Sequence, residues 1–192
     1  MSHFFAFLSR MKLIKRWGLM RNTRTENIQE HSLQVAMIAH NLAIIRNKIF
    51  DGNLLPERVM ALAIYHEVAE VITGDLATPI KYFNPEIKKA FGNIEEIAKR
   101  RLFEMIPEAL RMEYTSYFFP QDIDEDYWNI VKAADKISAY LKCVEELKSG
   151  NEEFLKAKNK IEQELDKFKL PEVKFFLNTF IPSFSLTLDE LN

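Results

Sequence analysis

Cysteine is almost missing from this chain of 192 residues: Cys143 is the only one. That excludes disulfide stapling and any multi-cysteine zinc site. Cys143 falls in a helical stretch beside Leu141 and Val144, where a buried, inert thiol is expected rather than a nucleophile. Long apolar runs are missing too. Nothing approaches the roughly 18 consecutive residues of a membrane-crossing helix, so no membrane span is predicted. The run His3-Phe4-Phe5-Ala6-Phe7-Leu8 is soon broken by Arg10, Lys12, Lys15 and Arg16. It lacks a basic start and a small-residue cleavage site, and reads as a short helix packing its aromatics on the domain rather than a secretory signal. An excess of charge is absent as well: 26 basic against 28 acidic residues leave −2. Bulk electrostatic binding of a nucleic-acid polymer or a membrane is thereby excluded. The expectation is a soluble cytoplasmic protein with one domain spanning 1–192 and a core of its own.

Strand alternation is also scarce, and helical periodicity dominates. The spacing predicts a short helix over Phe4–Arg16 and a long one over Asn27–Lys48, ended by the turn Asp51-Gly52-Asn53. A third opens at Pro56 and runs to about Ile72, before Gly74. The punctuated loop Thr73–Pro79 follows. Further helices are predicted over Pro85–Met105, Pro107–Tyr114, Asp124–Leu147, Glu152–Phe168 and Pro171–Phe180. The acidic run Asp122-Ile123-Asp124-Glu125-Asp126 suits a helix N-terminus and lacks the spacing of a calcium loop. The fold class is all-α, a single helical bundle.

Ionisable residues interrupt the apolar stripes of these helices. On the second, Ile28, His31, Val35, Ile38, Leu42 and Ile45 share one face, so His31 lies within the buried stripe. On the third, Val59, Leu62 and Ala63 lead to His66, with Glu67 adjacent and Glu70 one turn on. On a later helix Trp128, Val131, Asp135 and Ser138 share a side. An uncompensated charge on such a face costs several kcal/mol. Singly, each is more simply a hydrogen-bonded core histidine or a pairing acid. Jointly, His31, His66, Glu67 and Asp135 make a plausible divalent-metal set. His66-Glu67-x-x-Glu70 is not the zinc-protease pattern, which needs a second histidine four residues on. His40 falls on the opposite side of its helix and His3 near the terminus, so neither joins the set.

The order His…His-acid…Asp on successive helices resembles the HD-domain superfamily of metal-dependent phosphohydrolases. Arg16-Trp17, Arg24-Thr25-Glu26-Asn27, Glu30-His31-Ser32 and Thr73-Gly74-Asp75-Leu76 with Thr78-Pro79 are similar to the bacterial YfbR-type 5′-deoxynucleotidases. So are Phe180-Ile181-Pro182-Ser183-Phe184 and Leu186-Thr187-Leu188-Asp189-Glu190, and the resemblance covers nearly the whole chain. It implies an HD-domain bundle with the metal site between helices, a homodimer, and removal of phosphate from deoxyribonucleoside 5′-monophosphates. There are two departures. Glu67 stands where the family has Asp, which moves the carboxylate by about 1.5 Å against a ligand tolerance of about 0.2 Å. Ala77 stands where proline is expected.

By this resemblance His31, His66, Glu67 and Asp135 hold one divalent transition metal, with Co, Mn, Fe, Ni and Zn not distinguished. Glu70 or Asp75 orients or deprotonates the attacking water and protonates the leaving 5′-oxygen. Arg16 clamps the phosphate through its forked donors, and Trp17 contacts the sugar and base. Asp75, Leu76, Ala77 and Thr78 shape the nucleotide slot. The competing expectation is a non-catalytic or weakly active nucleotide-binding protein on the same scaffold, degenerate at Glu67.

Overall fold

A computed structural model of the protein describes residues 1–81, 83–121 and 124–191; the helix-start reading of Asp122 and Ile123 lies outside them. Helix α2 (Ile28–Ile49) is central. Its start is set by Asn27, whose side chain accepts from the backbone N–H of Gln29 and Glu30. Its end is set at Gly52, whose N–H bonds back to the Arg46 carbonyl. A Cβ at Gly52 would lie 2.6 Å from Arg46 Cγ, so this return needs glycine.

Helix α3 (Pro56–Tyr65) opens with Pro56 in its first turn, and α8 (Glu125–Lys148) crosses both α2 and α3. Val35, Ala39, Leu42, Val59, Leu62, Ile130, Ala134 and Ile137 are fully buried where the three meet. Each large aliphatic among them stabilises the fold by about 1.5–3 kcal/mol. Alanines 36, 39, 43, 133 and 134 leave room for close approach of the axes. Helices α9 (Leu155–Leu165) and α10 (Pro171–Phe180) cover the remaining sides with Ile161, Leu165, Val173 and Phe176.

A second cluster joins α1 (Phe4–Leu8), α6 (Pro85–Glu104) and α7 (Glu108–Phe118) through Phe4, Leu102, Ile106 and Phe118, with Val68. Phe4 makes an edge contact to Tyr114 at 5.6 Å between centroids, as a packed N-terminal aromatic run requires. Asp124 is buried against Arg58, with Glu125 and Asp126 in the first turn of α8. Among the described residues there is no strand, only an isolated antiparallel bridge between Lys15 and Asn27. The fold is all-α, and no described helix is long and apolar enough to cross a membrane.

Several predicted elements are subdivided. The Phe4–Arg16 helix is α1 plus a 3₁₀ turn at Met11–Leu13, because Ile14 turns extended and residues 14–16 pair with 26–28. The helix expected to reach Ile72 stops at Tyr65. Bonds of 3₁₀ spacing, Val68 N–H to Tyr65 O and Glu70 N–H to Glu67 O, tighten the chain before α4 (Glu70–Thr73). Part of the predicted loop forms α5 (Thr78–Lys81). The Glu152–Phe168 helix is a 3₁₀ turn at Glu152–Phe154 followed by α9.

Candidate metal centre

Three of these elements converge. α2 contributes His31, the turn after α3 contributes His66 and Glu67, and α8 contributes Asp135. One ligand atom from each lies within 4.8 Å of all the others. In an unbroken α-helix, neighbouring side chains diverge by about 100°. The tight turn lets consecutive residues share a target: His66 Nε2 and Glu67 Oε1 are 3.7 Å apart. The longer side chain of Glu67 therefore reaches the cluster.

Hydrogen bonding assigns both imidazole tautomers. Ser138 Oγ donates to Gln34 Oε1 at 2.6 Å, so toward His31 Nδ1, 3.1 Å away, it can only accept. His66 Nδ1 faces the Ala63 carbonyl at 2.6 Å, which likewise only accepts. Each ring is thus protonated at Nδ1 and turns the Nε2 lone pair toward the cluster. Both Nε2 atoms are buried without a hydrogen-bond partner. His31 Nε2 lies 3.1 Å from Asp135 Oδ1 and, with its proton on Nδ1, has no hydrogen to offer there, as suits two ligands of one ion. Two cation bonds of about 2.1 Å span about 4.2 Å, so a small closure from 4.8 Å suffices. The donor set fits a divalent cation.

The electrostatics agree. Burial, reinforced by Arg16, lowers the His31 pKa and keeps the ring neutral, the form that ligates. Burial alone would raise Asp135, but His31, His66 and Arg16 hold its carboxyl well below the usual range. Glu67 is likewise held down against burial, mainly by His66 and a hydrogen bond with Glu70. Glu70 is the opposite case: burial and then the Glu67 charge push it up to about 10. Its Oε2 is buried and unpartnered.

The Arg16 guanidinium is surrounded by Asp135, Glu26, Glu67 and Asp75, which raise its pKa despite burial. Asp75 also meets the Trp17 backbone N–H; burial raises its carboxyl pKa, while Arg16 opposes the shift. The fold thus gathers Arg16, Glu70 and Asp75 around the four ligands, while Trp17 adjoins them through its backbone N–H to Asp75 and turns its indole to Glu26 and Phe154. Leu76 and Ala77 are half-buried and Thr78 exposed on the connection leaving Asp75, beside the centre rather than within its ligand set. Ser138 and Gln34, which fix the His31 ring, carry no signal for that task in their spacing; only Ser138's place on the Asp135 face hints at it. Glu26 was legible only as part of a motif. Cys143 is buried, with burial pushing its thiol up to about 12, and is inert as expected.

A family model described as 5′-deoxynucleotidase YfbR-like matches residues 3–184. A 5′-deoxynucleotidase of Vibrio cholerae is 56% identical over 191 residues, covering 100% of this chain and 98% of the relative. One from Erwinia tasmaniensis is 54% identical, covering 100% and 96%. Among solved structures, an HD-domain phosphohydrolase from Listeria innocua superposes with a TM-score of 0.81 at 20% identity, over 95% of this chain and 88% of its own. A cyanophage S-2L HD phosphohydrolase, solved with dA and one catalytic Zn²⁺ ion, gives a TM-score of 0.65 at 19% identity, over 93% and 96%.

Proposed function

The chain belongs to the YfbR-like 5′-deoxynucleotidase family, and on that premise we propose how its own residues hydrolyse deoxyribonucleoside 5′-monophosphates to deoxyribonucleosides and phosphate. The observation that carries the reading is the pair of inward Nε2 lone pairs facing two carboxylates held ionised. His31, His66, Glu67 and Asp135 would hold one divalent transition metal. When bound, such an ion supplies Lewis-acid polarisation of a phosphate oxygen and acidifies water.

The remaining groups act on substrate and proton. Arg16 offers its terminal amines to the phosphate oxygens, matching fork to fork. Trp17 lies against the sugar. Asp75, Leu76, Ala77 and Thr78 line the slot, with Asp75 orienting the nucleophilic water or the sugar. Glu70, buried and protonated beside Glu67, moves the proton: as the P–O5′ bond breaks it gives its proton to the leaving oxygen, and it recovers one from the attacking water. The products are a neutral nucleoside alcohol and hydrogen phosphate.

The whole chain 1–192 is read as one HD domain, in the cytoplasm, acting as a homodimer. Leu33, Met37 and Ile44, exposed at 59%, 59% and 37% along one outward side of α2, support a partnered surface. Phosphate release from dAMP and AMP with added Mn²⁺ or Co²⁺ tests the assignment, in the wild type and in E70A and D75A. Activity is expected with dAMP, falling about 10²–10⁴-fold in E70A. Full activity in both variants removes these residues from the mechanism. Bound metal without any turnover favours the non-catalytic reading that Glu67 invites.

A further inference from the structure

The motif Arg24-Thr25-Glu26-Asn27 supplies none of the four clustered ligands. In the structure it returns to lie alongside residues 14–16, and the Glu26 side chain reaches Arg16 and Trp17. Glu26 Oε2 accepts from Arg16 Nε at 3.0 Å and from Trp17 Nε1 at 3.1 Å. Arg16 and Glu26 side chains are each only 13% exposed. A single oxygen therefore fixes two consecutive side chains of different character.

Each bond has a geometric consequence. The guanidinium is planar, so holding Nε fixes its plane and leaves both terminal amines free to point away from Glu26. Holding the indole N–H fixes the edge of Trp17, which also packs on Phe154 at 5.4 Å between centroids. Trp17 has φ +57°, a left-handed conformation that costs a bulky residue of order 1–3 kcal/mol. The surroundings hold it there. Arg16 N–H bonds to the Glu26 carbonyl, Ile28 N–H bonds to the Ile14 carbonyl, and Met20 N–H and Asn22 Nδ2 both bond to the Trp17 carbonyl. Strain kept in place by so many contacts is a mark of a residue whose direction matters.

We infer that Glu26 is a positioning residue that sets the phosphate-binding arginine and the sugar-facing tryptophan together, so that one carboxylate governs both phosphate affinity and discrimination between deoxyribose and ribose. The inference rests on the substrate roles proposed above for Arg16 and Trp17. Because Oε2 is shared, the two side chains cannot be displaced independently. The simpler alternative is that Glu26 only neutralises a buried arginine.

Two variants separate these accounts. E26D keeps the charge but withdraws the carboxylate by about 1.5 Å, the length of one carbon–carbon bond, out of reach of both donors. E26Q keeps the reach and an oxygen acceptor but loses the charge. The measurements are the ratio of kcat/KM for dAMP to that for AMP, the KM for dAMP, and Trp17 emission in a W128F background, where it is the sole tryptophan of the original two. With positioning, E26D lowers the ratio and raises KM, each about tenfold, and shifts the emission, whereas E26Q stays close to the parent. The reverse pattern, E26D normal and E26Q impaired, overturns the inference in favour of charge neutralisation. An unchanged ratio, KM and emission in both variants overturns it outright. R16A and W17A are run in parallel. If they leave KM and the ratio unchanged, the substrate-site reading itself fails; if they act while E26D does not, only the role of Glu26 fails.

Discussion

Helix α8 carries two charged clusters about three turns apart, and they differ in completeness. Around Glu146 every oxygen is used: Oε1 accepts from Lys142 and Arg24 N–H, and Oε2 from the Thr23 N–H, the Thr23 hydroxyl and Asn151. Around Asp135, the Nε2 atoms of His31 and His66 and Oε2 of Glu70 find no hydrogen-bond partner. The first is hidden from water and finished by the protein itself; the second is partly open, with the Asp135 and Glu67 side chains 31% and 23% exposed. A satisfied buried network pins a loop, here residues 21–24, to the bundle. An unsatisfied one, with its lone pairs aimed at one point, is built for something the chain does not contain.

Isosteric amides test that contrast most directly. E70Q should cut dAMP hydrolysis about 10²–10⁴-fold while leaving thermal stability nearly unchanged, since Glu70 is already uncharged. E146Q should do the reverse. Lys142 would lose its buried counter-charge, costing about 2–3 kcal/mol and about 5–10 °C in Tm, with little loss of kcat in the folded fraction. The pH dependence has a definite sign. The Lys142 and Thr23 bonds overcome burial and hold Glu146 down to about 2, against about 4.3 for a free glutamate. Its contribution is therefore complete above about pH 4.5 and lost as pH falls toward 2. Urea unfolding of E146Q across that interval should show a shallower acid decline than wild type; equal slopes would contradict the assignment.

Cation binding sharpens the other half. Mn²⁺ or Co²⁺ at a hundredfold excess over Kd should stabilise the wild type by about 2.7 kcal/mol, or about 5–10 °C, and leave a H31A/H66A double variant unmoved. The smallest effect is expected from E67D. Glu67 already reaches the other ligand atoms, so shortening it should change metal affinity less than tenfold, measured by calorimetric titration; a larger gain would show that the longer acid obstructs the site.

Much of this contrast was legible beforehand. His31, His66 and Asp135 announce themselves because each replaces an apolar residue in a buried helical stripe. The ends of α2 and α10 follow from Asn27, Gly52 and Pro171. The break after Tyr65 left no such trace: Tyr65-His66-Glu67-Val68-Ala69 holds no glycine or proline, and its period continues into Glu70. What bends it is tertiary, with Val68 drawn into the Phe4–Phe118 cluster while His66 and Glu67 face α2 and α8. The left-handed Trp17 was equally hidden, since its conformation depends on Glu26 and on the pairing of residues 14–16 with 26–28. The Glu146 anchor leaves no trace in the sequence either, because Lys142 and Glu146 on one helix look like an ordinary solvent-facing pair.

The break after Tyr65 also bears on how the grip could loosen. Two donors ride on a single tight bend, while the other two project from long rods locked by the aliphatic centre. A small swing of that bend would withdraw half the grip at once and leave the rods unmoved. A local flexing of a few residues there would be enough to open the coordination of a bound cation, without parting the helices that give the bundle its shape.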